Sequence, residues 1–347
     1  MSTSEARESN PVTSDRPRDS LALVVPVYNE EDVLSVLIEE IEAFRAERDY
    51  IQQIILVDDG STDDSARLIR DLTAERPGYY MISFSRNFGH QLAVTAGLHA
   101  VDTDAAVILD ADLQDPLHVI DDMVAEWRDG YEVVYGVRRE RRGESWFKRV
   151  TANLFYRIFQ WAADVDMPLD AGDFRLVSCR VIEAYRKLHE QQPFVRGLIS
   201  WIGFEQTGVM YDREPRAAGR SKYSLGNMMR LAWQSLTAFS TKLLRVAVRI
   251  GFGTALLSLV GLAWVLFVKY VLDSAITGWA SLIFVGFFFG GVQLFFLGIV
   301  GEYLARVYKE VKARPRYIIE DEWRSDSSVE QPEGSDTTVK IEDAPER

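Results

Sequence analysis

The sequence predicts an α/β fold of the Rossmann-like class, in which helices cover both faces of a mostly parallel sheet. One observation is that short, wholly apolar runs alternate with stretches whose apolar residues recur at helical spacing. Strands that are apolar on both faces and separated by helices are typical of a parallel sheet that is buried on both sides. A second observation is the pair of long uncharged runs near the carboxyl end. These runs predict that a two-helix transmembrane hairpin follows the α/β part. The segments NLFYRIFQWAADV and YSLGNMMRLAWQSLTAFSTKLLR predict amphipathic interface helices, with packing against the α/β domain as the alternative.

The predicted strands and helices alternate along residues 21–137. The first strand, LALVVPV, precedes a helix whose apolar face holds Leu34, Leu37, Ile38, Ile41 and Phe44. The remaining elements follow in order: strand IILVDDGS and a helix over 62–76, strand YYMISFS and a helix over about 89–101, strand AAVILDAD and a helix near 117–128, and strand YEVVYGV.

Two acid pairs come where predicted strands end. Asp58 and Asp59 end the second strand, and Asp110 and Asp112 end the fourth. Ligands of open α/β sheets gather at the carboxyl ends of the strands, so both pairs are expected to face one crevice.

The segment LDADLQDP suggests a cation site. In an extended chain the side chains of Asp110, Asp112 and Gln114 point the same way, and their oxygens suit Mg²⁺ or Mn²⁺ completed by waters and a diphosphate. Helix capping is the alternative, and Asp115, which precedes Pro116, is expected to be such a cap. A glycosidase carboxylate pair is a rival use, but the second acid cluster favours a nucleotide.

The carboxyl-terminal third holds uncharged runs over residues 250–268 and 274–301, each long enough to span a bilayer. Basic residues flank the pair, so the positive-inside rule predicts a hairpin, about 248–271 and 277–301, in the cytoplasmic membrane. Both termini and the α/β domain would then lie in the cytoplasm. Two buried core helices are the alternative. Gly286, Gly290 and Gly291 permit close helix approach and hence a homo-oligomer.

Charge and cysteine content bound the rest of the chain. The net charge is -13, and residues 320–347 hold ten acids against three basic residues, which predicts a solvated acidic tail. Cys179 is the single cysteine, so a reducing compartment is favoured. The predicted divisions are a disordered segment over 1–19, the α/β domain over 20–224, a juxtamembrane helix over 225–246, the hairpin over 247–306, and a basic segment with the acidic tail over 307–347.

Five motifs in order carry a family resemblance: VVPVYNEE, LVDDGSTD, LDADLQDP, DAGDFRL and GRSKYS. Together they resemble the family 2 glycosyltransferases, in the branch that loads a sugar onto a polyisoprenyl phosphate. The likeness runs from about Leu21 to Ser224 and implies a GT-A-like fold.

The resemblance also implies site roles. It places the base and ribose of a UDP- or GDP-linked sugar on Pro26, Tyr28, Glu30, Asp58 and Asp59, with Asp110 as a further donor contact. It assigns Asp110, Asp112 and Gln114 to the metal and diphosphate. The implied catalytic residues are Asp112, Asp173 and Asp110, with Asp173 orienting the sugar or stabilising charge.

Basic residues point to the acceptor. Between residues 215 and 249 there are seven Lys or Arg and no acid, so an anionic partner close to a membrane is expected. Nucleic acid is disfavoured because the hairpin adjoins. The expected lipid-phosphate contacts are Arg138, Arg149, Asn153, Arg220, Ser221 and Lys222, and Arg offers forked donors for phosphate oxygens.

The expected activity is inverting transfer of a hexose, first UDP-glucose, to undecaprenyl phosphate at the cytoplasmic face of the membrane. A GDP-mannose-dependent mannosyltransferase and a non-catalytic membrane adaptor are the alternatives. A processive polysaccharide synthase is a further reading, but QPFVRGLISW only approximates its Gln-x-x-Arg-Trp motif and one hairpin is too little for a channel.

Overall fold

The computed structural model describes residues 20–138, 171–212 and 278–325, and a helical stretch at 247–254 with single positions up to 271. The strands are β1 (Leu21–Val27), β2 (Ile51–Asp58), β3 (Tyr79–Phe84), β4 (Ala105–Ile108), β5 (Val133–Arg138), β6 (Ala171–Ser178), β7 (Gln206–Tyr211) and β8 (Ile319–Arg324). The helices are α1 (Glu31–Ala46), α2 (Ser65–Thr73), α3 (His90–His99), α4 (Val119–Arg128), α5 (Cys179–Tyr185), α6 (Val195–Ile202) and α7 (Trp279–Lys312).

All eight strands form one mixed sheet in the order β7-β5-β6-β4-β1-β2-β3-β8. Strands β4, β1, β2 and β3 run parallel, as do β5 and β7. Strand β6 runs antiparallel to both β4 and β5. The predicted α/β fold with a mostly parallel sheet is therefore confirmed. The carboxyl ends of β1 to β5 and the amino end of β6 share one edge of the sheet.

Apolar side chains fill both faces of the sheet. Every residue of β1, β3 and β4 is buried. One core cluster joins α1 and α4 to one face, and a second joins α3, α5 and α6 to the other. The five residues predicted for the apolar face of α1 are all buried. The central strands are thus fixed from both sides, which holds the loops at their carboxyl ends in place.

The chain returns to the sheet after α7. Strand β8 pairs antiparallel with β3, with Met81 opposite Trp323 and Phe84 opposite Ile319. The sequence analysis assigned these residues to the basic segment and the acidic tail. In the structure, residues 319–324 instead form an edge strand of the sheet. The backbone groups at the open edge of β3 pair with the backbone of this charged segment.

Helix α7 is the one described helix that is long and apolar enough to cross a membrane. An 18-residue window within residues 288–312 has a mean hydropathy of 1.5, and only 6% of that window is buried. The first helix of the predicted hairpin, about 248–271, falls largely outside the described residues, so the hairpin stays a prediction. The predicted segments 1–19 and 225–246 also lie outside the described residues.

Candidate active site

The loop after β2 begins with two buried carboxylates. Asp58 is 1% exposed and Asp59 is 2% exposed. The carboxylate of Asp58 accepts hydrogen bonds from the backbone N–H of Ser61 at 3.0 Å and from the hydroxyl of Ser83 at 2.7 Å. Asp58 therefore joins the ends of β2 and β3, and these two hydrogen bonds stabilise the fold.

Asp59 organises the loop between β3 and α3. Its carboxylate accepts hydrogen bonds from the backbone N–H groups of Phe88 and Gly89, at 2.7 and 3.0 Å, and from the side-chain amide of Asn87 at 3.0 Å. Desolvation raises the pKa of Asp59, although these backbone donors oppose the rise. The carboxylate of Asp59 is therefore enclosed by the loop between β3 and α3, residues 85–89. The expectation that both acids face a ligand stays a prediction.

Gly60 brings the two loops together. Its φ is +63°, and a Cβ placed there would lie 2.3 Å from the carbonyl carbon of Arg86. Only glycine combines this backbone conformation with so close an approach. The LVDDGSTD motif thus has a packing reason for its glycine.

The loop after β4 is turned rather than extended. Leu113 has a φ of +56°, and the backbone N–H of Gln114 donates to the carboxylate of Asp112 at 3.2 Å. The expectation that Asp110, Asp112 and Gln114 alternate along an extended chain is therefore wrong. A left-handed residue between Asp112 and Gln114 breaks the two-residue repeat.

Asp115 does not cap α4. The helix begins at Val119, and its N-cap residue is His118. Asp115 is 3% exposed and accepts a hydrogen bond from the hydroxyl of Tyr211 at 2.6 Å. Desolvation, with the charge of Asp115, raises the pKa of Tyr211 to about 12, so the phenol stays a donor.

Arg138 reaches the same edge from the end of β5. Its Nε donates to the hydroxyl of Tyr211 at 3.2 Å, and its guanidinium packs on Gly172 of β6. Desolvation lowers the pKa of Arg138, but Tyr211 and the charges of Asp115 and Asp110 more than offset it, and the net pKa is raised. The predicted lipid-phosphate residue thus lies within the electrostatic reach of Asp110.

His90, the first residue of α3, meets the acid after β4. Its Nε2 lies 3.1 Å from Oδ1 of Asp110, whose side chain is 28% exposed. Desolvation lowers the pKa of His90, yet the hydrogen bond and charge of Asp110, together with the charge of Asp173, leave it raised. His90 lies in the SRNFGHQLAVTAG stretch, whose Arg86, Asn87 and His90 are expected from the sequence to border the nucleotide site, with a helix cap as the alternative for His90.

Asp173 joins this group from β6, because β6 runs antiparallel to β4 and begins where β4 ends. Its carboxylate pairs with Arg196 of α6, with Nε at 2.9 Å from Oδ1. Helix α6 is itself placed by Gln91, whose Oε1 accepts from the backbone N–H of Val195 at 2.9 Å. Sequence reasoning missed Arg196, although it lies in the QPFVRG stretch noted for another motif.

The predicted donor residues before α1 occupy different environments. Pro26 is buried within β1, whereas Tyr28 is 38% exposed just beyond the strand. Glu30 precedes α1, and its backbone N–H donates to the hydroxyl of Ser65 at 3.0 Å. Tyr28 therefore offers a ring face at the same edge as the acids.

A divalent ion would find hard oxygen donors here. Within the described ranges no three His, Cys, Asp or Glu side chains are gathered for a metal ion. Asp110 and Asp112 supply two carboxylates, and Gln114 beside them is 7% exposed. This donor set fits an ion whose shell is completed by a substrate diphosphate and water.

The other expected acceptor contacts fall on residues that the structure leaves undescribed. Arg149, Asn153, Arg220, Ser221 and Lys222 all lie outside the described ranges.

The fold and the edge define a class: a Rossmann-like α/β protein with acidic loops at the carboxyl ends of its strands. The chain belongs to glycosyl transferase family 2, whose model matches residues 22–186. An uncharacterized glycosyltransferase, YkcC of Bacillus subtilis, is 44% identical over 86% of this chain and 93% of its own length. The SfII prophage-derived bactoprenol glucosyl transferase of Shigella flexneri is 37% identical, over 88% of this chain and 98% of its own. These relatives support the polyisoprenyl-phosphate branch of the family.

Among solved structures, mannosyl-3-phosphoglycerate synthase from Rubrobacter xylanophilus has a TM-score of 0.46 at 18% identity, over 66% of this chain and 75% of its own.

Proposed function

We propose that the protein transfers a hexose from a nucleoside diphosphate sugar, UDP-glucose first, to a polyisoprenyl phosphate, undecaprenyl phosphate, with inversion at the anomeric carbon. The observation that carries the proposal is the likeness to bactoprenol glucosyl transferases over nearly their whole length, in a chain whose Asp110, Asp173 and Arg138 converge on one edge.

The reaction is a single displacement. An oxygen of the lipid phosphate attacks the anomeric carbon, a carbon–oxygen bond forms, and the bond to the nucleoside diphosphate breaks. Because the acceptor oxygen is already anionic near neutral pH, the protein needs no general base to remove a proton. Its main work is to align the reactants and stabilise negative charge.

The chain's own groups divide that work. Tyr28 and Glu30 lie at the edge where the base and ribose would bind, together with Pro26, Asp58 and Asp59. Asp110 and Asp112, with Gln114, would hold Mg²⁺ or Mn²⁺, which when bound neutralises the diphosphate. Asp173, fixed by Arg196, orients the sugar.

The acceptor phosphate is assigned to Arg138, Arg149, Asn153, Arg220, Ser221 and Lys222. The location of Arg138 near Asp110 supports this side of the proposal, because a cation beside the acids holds the two anionic substrates close without direct repulsion.

We place the protein in the cytoplasmic membrane, with α7 as one spanning helix of the hairpin and the catalytic domain on the cytoplasmic side. Thiol labelling of intact cells tests this arrangement. An Asp273→Cys chain in a Cys179→Ala background should react with an impermeant reagent from outside, and labelling only after permeabilisation would contradict it.

The activity test uses the purified full chain with undecaprenyl phosphate, Mg²⁺ or Mn²⁺, and UDP-glucose, UDP-galactose, UDP-N-acetylglucosamine or GDP-mannose in separate arms. Mass analysis of the lipid should show a hexosyl phosphate product with UDP-glucose, and chelation of the metal should abolish it. A lipid-linked product formed only with GDP-mannose would show that GDP-mannose, and not UDP-glucose, is the donor. No lipid-linked product in any arm would favour a non-catalytic adaptor.

An Asp112→Asn chain tests the role of the Asp112 charge in catalysis while keeping the size of the side chain. Loss of one carboxylate that would hold the metal and diphosphate should lower kcat roughly 10²- to 10³-fold. Asp71→Asn, on the exposed face of α2, is the matched control and should retain full activity. Unchanged transfer by the Asp112→Asn chain would remove this acid from the mechanism.

A further inference from the structure

The segment that follows α7 touches the loop between β3 and α3. We define this return segment as residues 316–318. The backbone N–H of Ser85, the first residue of loop 85–89, donates to the carbonyl oxygen of Ile318 at 3.1 Å. Tyr317 is 5% exposed and stacks on Phe84 with ring centroids 4.9 Å apart and an interplanar angle of 18°.

The ring contacts continue into the loop. Phe84 meets Phe88 edge to face at 5.7 Å. Phe88 also donates its backbone N–H to Asp59. The loop is therefore held by Asp59 at Phe88 and by the Ile318 carbonyl at Ser85, and Tyr317 reaches Phe88 through the ring of Phe84. The loop ends at Gly89, and the next residue is His90, which lies against Asp110.

The end of α7 is anchored at the same place. Arg316 is 8% exposed and donates to the carbonyl oxygen of Leu188 at 3.2 Å. Glu310, in the last turn of α7, accepts a hydrogen bond from the backbone N–H of Gln191 at 2.9 Å. The return segment therefore contacts both the β3–α3 loop and the stretch that leads into α6, which carries Arg196.

We propose that the return segment is a positioning element of the candidate active site, in which Tyr317 and Ile318 hold loop 85–89 so that His90 stays against Asp110. The segment touches neither substrate and acts through the loop. The proposal rests on the proposed function for its kinetic readout, while its structural readout is independent of any substrate.

Two alanine variants, one in the return segment and one on β8, distinguish the positioning of loop 85–89 from a general loss of stability. Tyr317→Ala removes the ring that stacks on Phe84. Trp323→Ala is the matched control, because Trp323 lies on β8 opposite Met81 and packs against the other face of the sheet, away from the loop. Tyr317→Phe keeps the ring and should exchange more slowly at the amides of loop 85–89 than Tyr317→Ala, because the stacking on Phe84 is retained.

Amide hydrogen exchange on the full-length protein measures how firmly loop 85–89 is held. The Phe88 and Gly89 amides, which donate to Asp59, should exchange roughly tenfold faster in Tyr317→Ala than in Trp323→Ala. In the transfer assay Tyr317→Ala should also raise the KM for the nucleotide sugar roughly three- to tenfold beyond any change in Trp323→Ala.

The outcomes are distinct. Equal exchange rates at Phe88 and Gly89 in the two alanine variants would overturn the bracing role, whatever the activity. Faster exchange with unchanged KM and kcat would overturn the link to the site. If the unchanged chain transfers no sugar, the proposed function fails, and the exchange comparison still decides whether the segment holds the loop.

Discussion

Gly60 shows how one backbone position sets the distance between two site loops. Two physical demands coincide there: a left-handed φ, and the absence of any atom where a Cβ would strike Arg86. Asp59 on one side and loop 85–89 on the other are kept in hydrogen-bonding range by this approach.

A Gly60→Ala chain should therefore lose roughly 1–3 kcal/mol of stability from backbone strain, with a further loss from displacement of the loop. Gly203→Ala is the matched control, because Gly203 also has a left-handed φ, +83°, but the nearest atom to its added Cβ lies at an ordinary contact distance of 3.7 Å. Thermal unfolding of both variants measures the difference. Equal melting temperatures would show that the close approach adds no cost.

Arg196 gives a second residue-scale test. Its planar guanidinium pairs with Asp173, and the two side chains are 28% and 18% exposed. Removing the arginine leaves a partly buried carboxylate without this partner and without a fixed direction.

An Arg196→Ala chain should lose roughly tenfold or more in kcat for sugar transfer, and Arg196→Lys should recover only part of it because an ammonium cannot make the same forked contact. Arg67→Ala, at an exposed pair with Asp64, serves as the control and should be unaffected. Full activity in the Arg196→Ala chain would mean that Asp173 needs no orientation.

The limits of sequence reasoning are clearest around Asp112. The acids at the ends of β2 and β4 could be placed at one edge because parallel strands share it. The directions of their side chains could not be predicted, because Leu113 adopts a left-handed φ that its residue type does not favour. The partners Arg196 and Tyr211 come from distant elements, and contacts of that kind leave no local pattern.

At the scale of elements, helices α1 and α4 lie on the same face of the sheet and share a charged link. Nε and Nη2 of Arg48, just beyond α1, donate to Asp121 of α4 at 2.8 and 2.7 Å. Tyr50 also donates to Asp121. The hydrogen bond from Arg48 is the main reason that the pKa of Asp121 is lowered, although desolvation opposes it.

This link predicts an acid-dependent stability. Because the pKa of Asp121 is lower in the folded state, its contribution is present above the unfolded pKa, about 3.9, and is lost as the pH falls through the folded value. Asp121 is 42% exposed, so screening limits the effect to roughly 0.5–1 kcal/mol.

Thermal unfolding of Asp121→Asn should therefore show a lower melting temperature than the unchanged chain at pH 7, with the gap closing toward pH 3. Asp122→Asn, the next residue of α4, should show no such gap. A gap that is independent of pH would contradict the ionic origin.

Most elements could be predicted because wholly apolar strands and helical apolar faces are strong local signals. Strand β8 could not, because its sequence, IEDEWR, reads as a charged, solvated segment. Charged side chains are suited to an edge strand, and only the open side of β3 reveals that the segment pairs there. The salt link from Arg70 of α2 to Asp321 adds a further contact at that edge.

At the scale of the whole molecule, the sheet depends on residues that follow the apolar helix. Removing residues 313–347 would leave β3 as an exposed strand edge and strip the return segment from loop 85–89. Removing only residues 326–347 would take the acidic tail and keep β8.

The shorter deletion should keep the melting temperature and a single peak in size-exclusion chromatography. The longer deletion should lower the melting temperature by several degrees and give aggregates, because an unpaired apolar edge recruits other chains. Identical behaviour of the two chains would show that β8 adds nothing to the sheet.

The order of the elements along the chain determines when the contact between β8 and β3 can form during synthesis. The ribosome completes β1 to β7 and the whole of α7 before the residues that cover β3 emerge. The sheet therefore gains its eighth described strand only after the long apolar helix α7 has been synthesised.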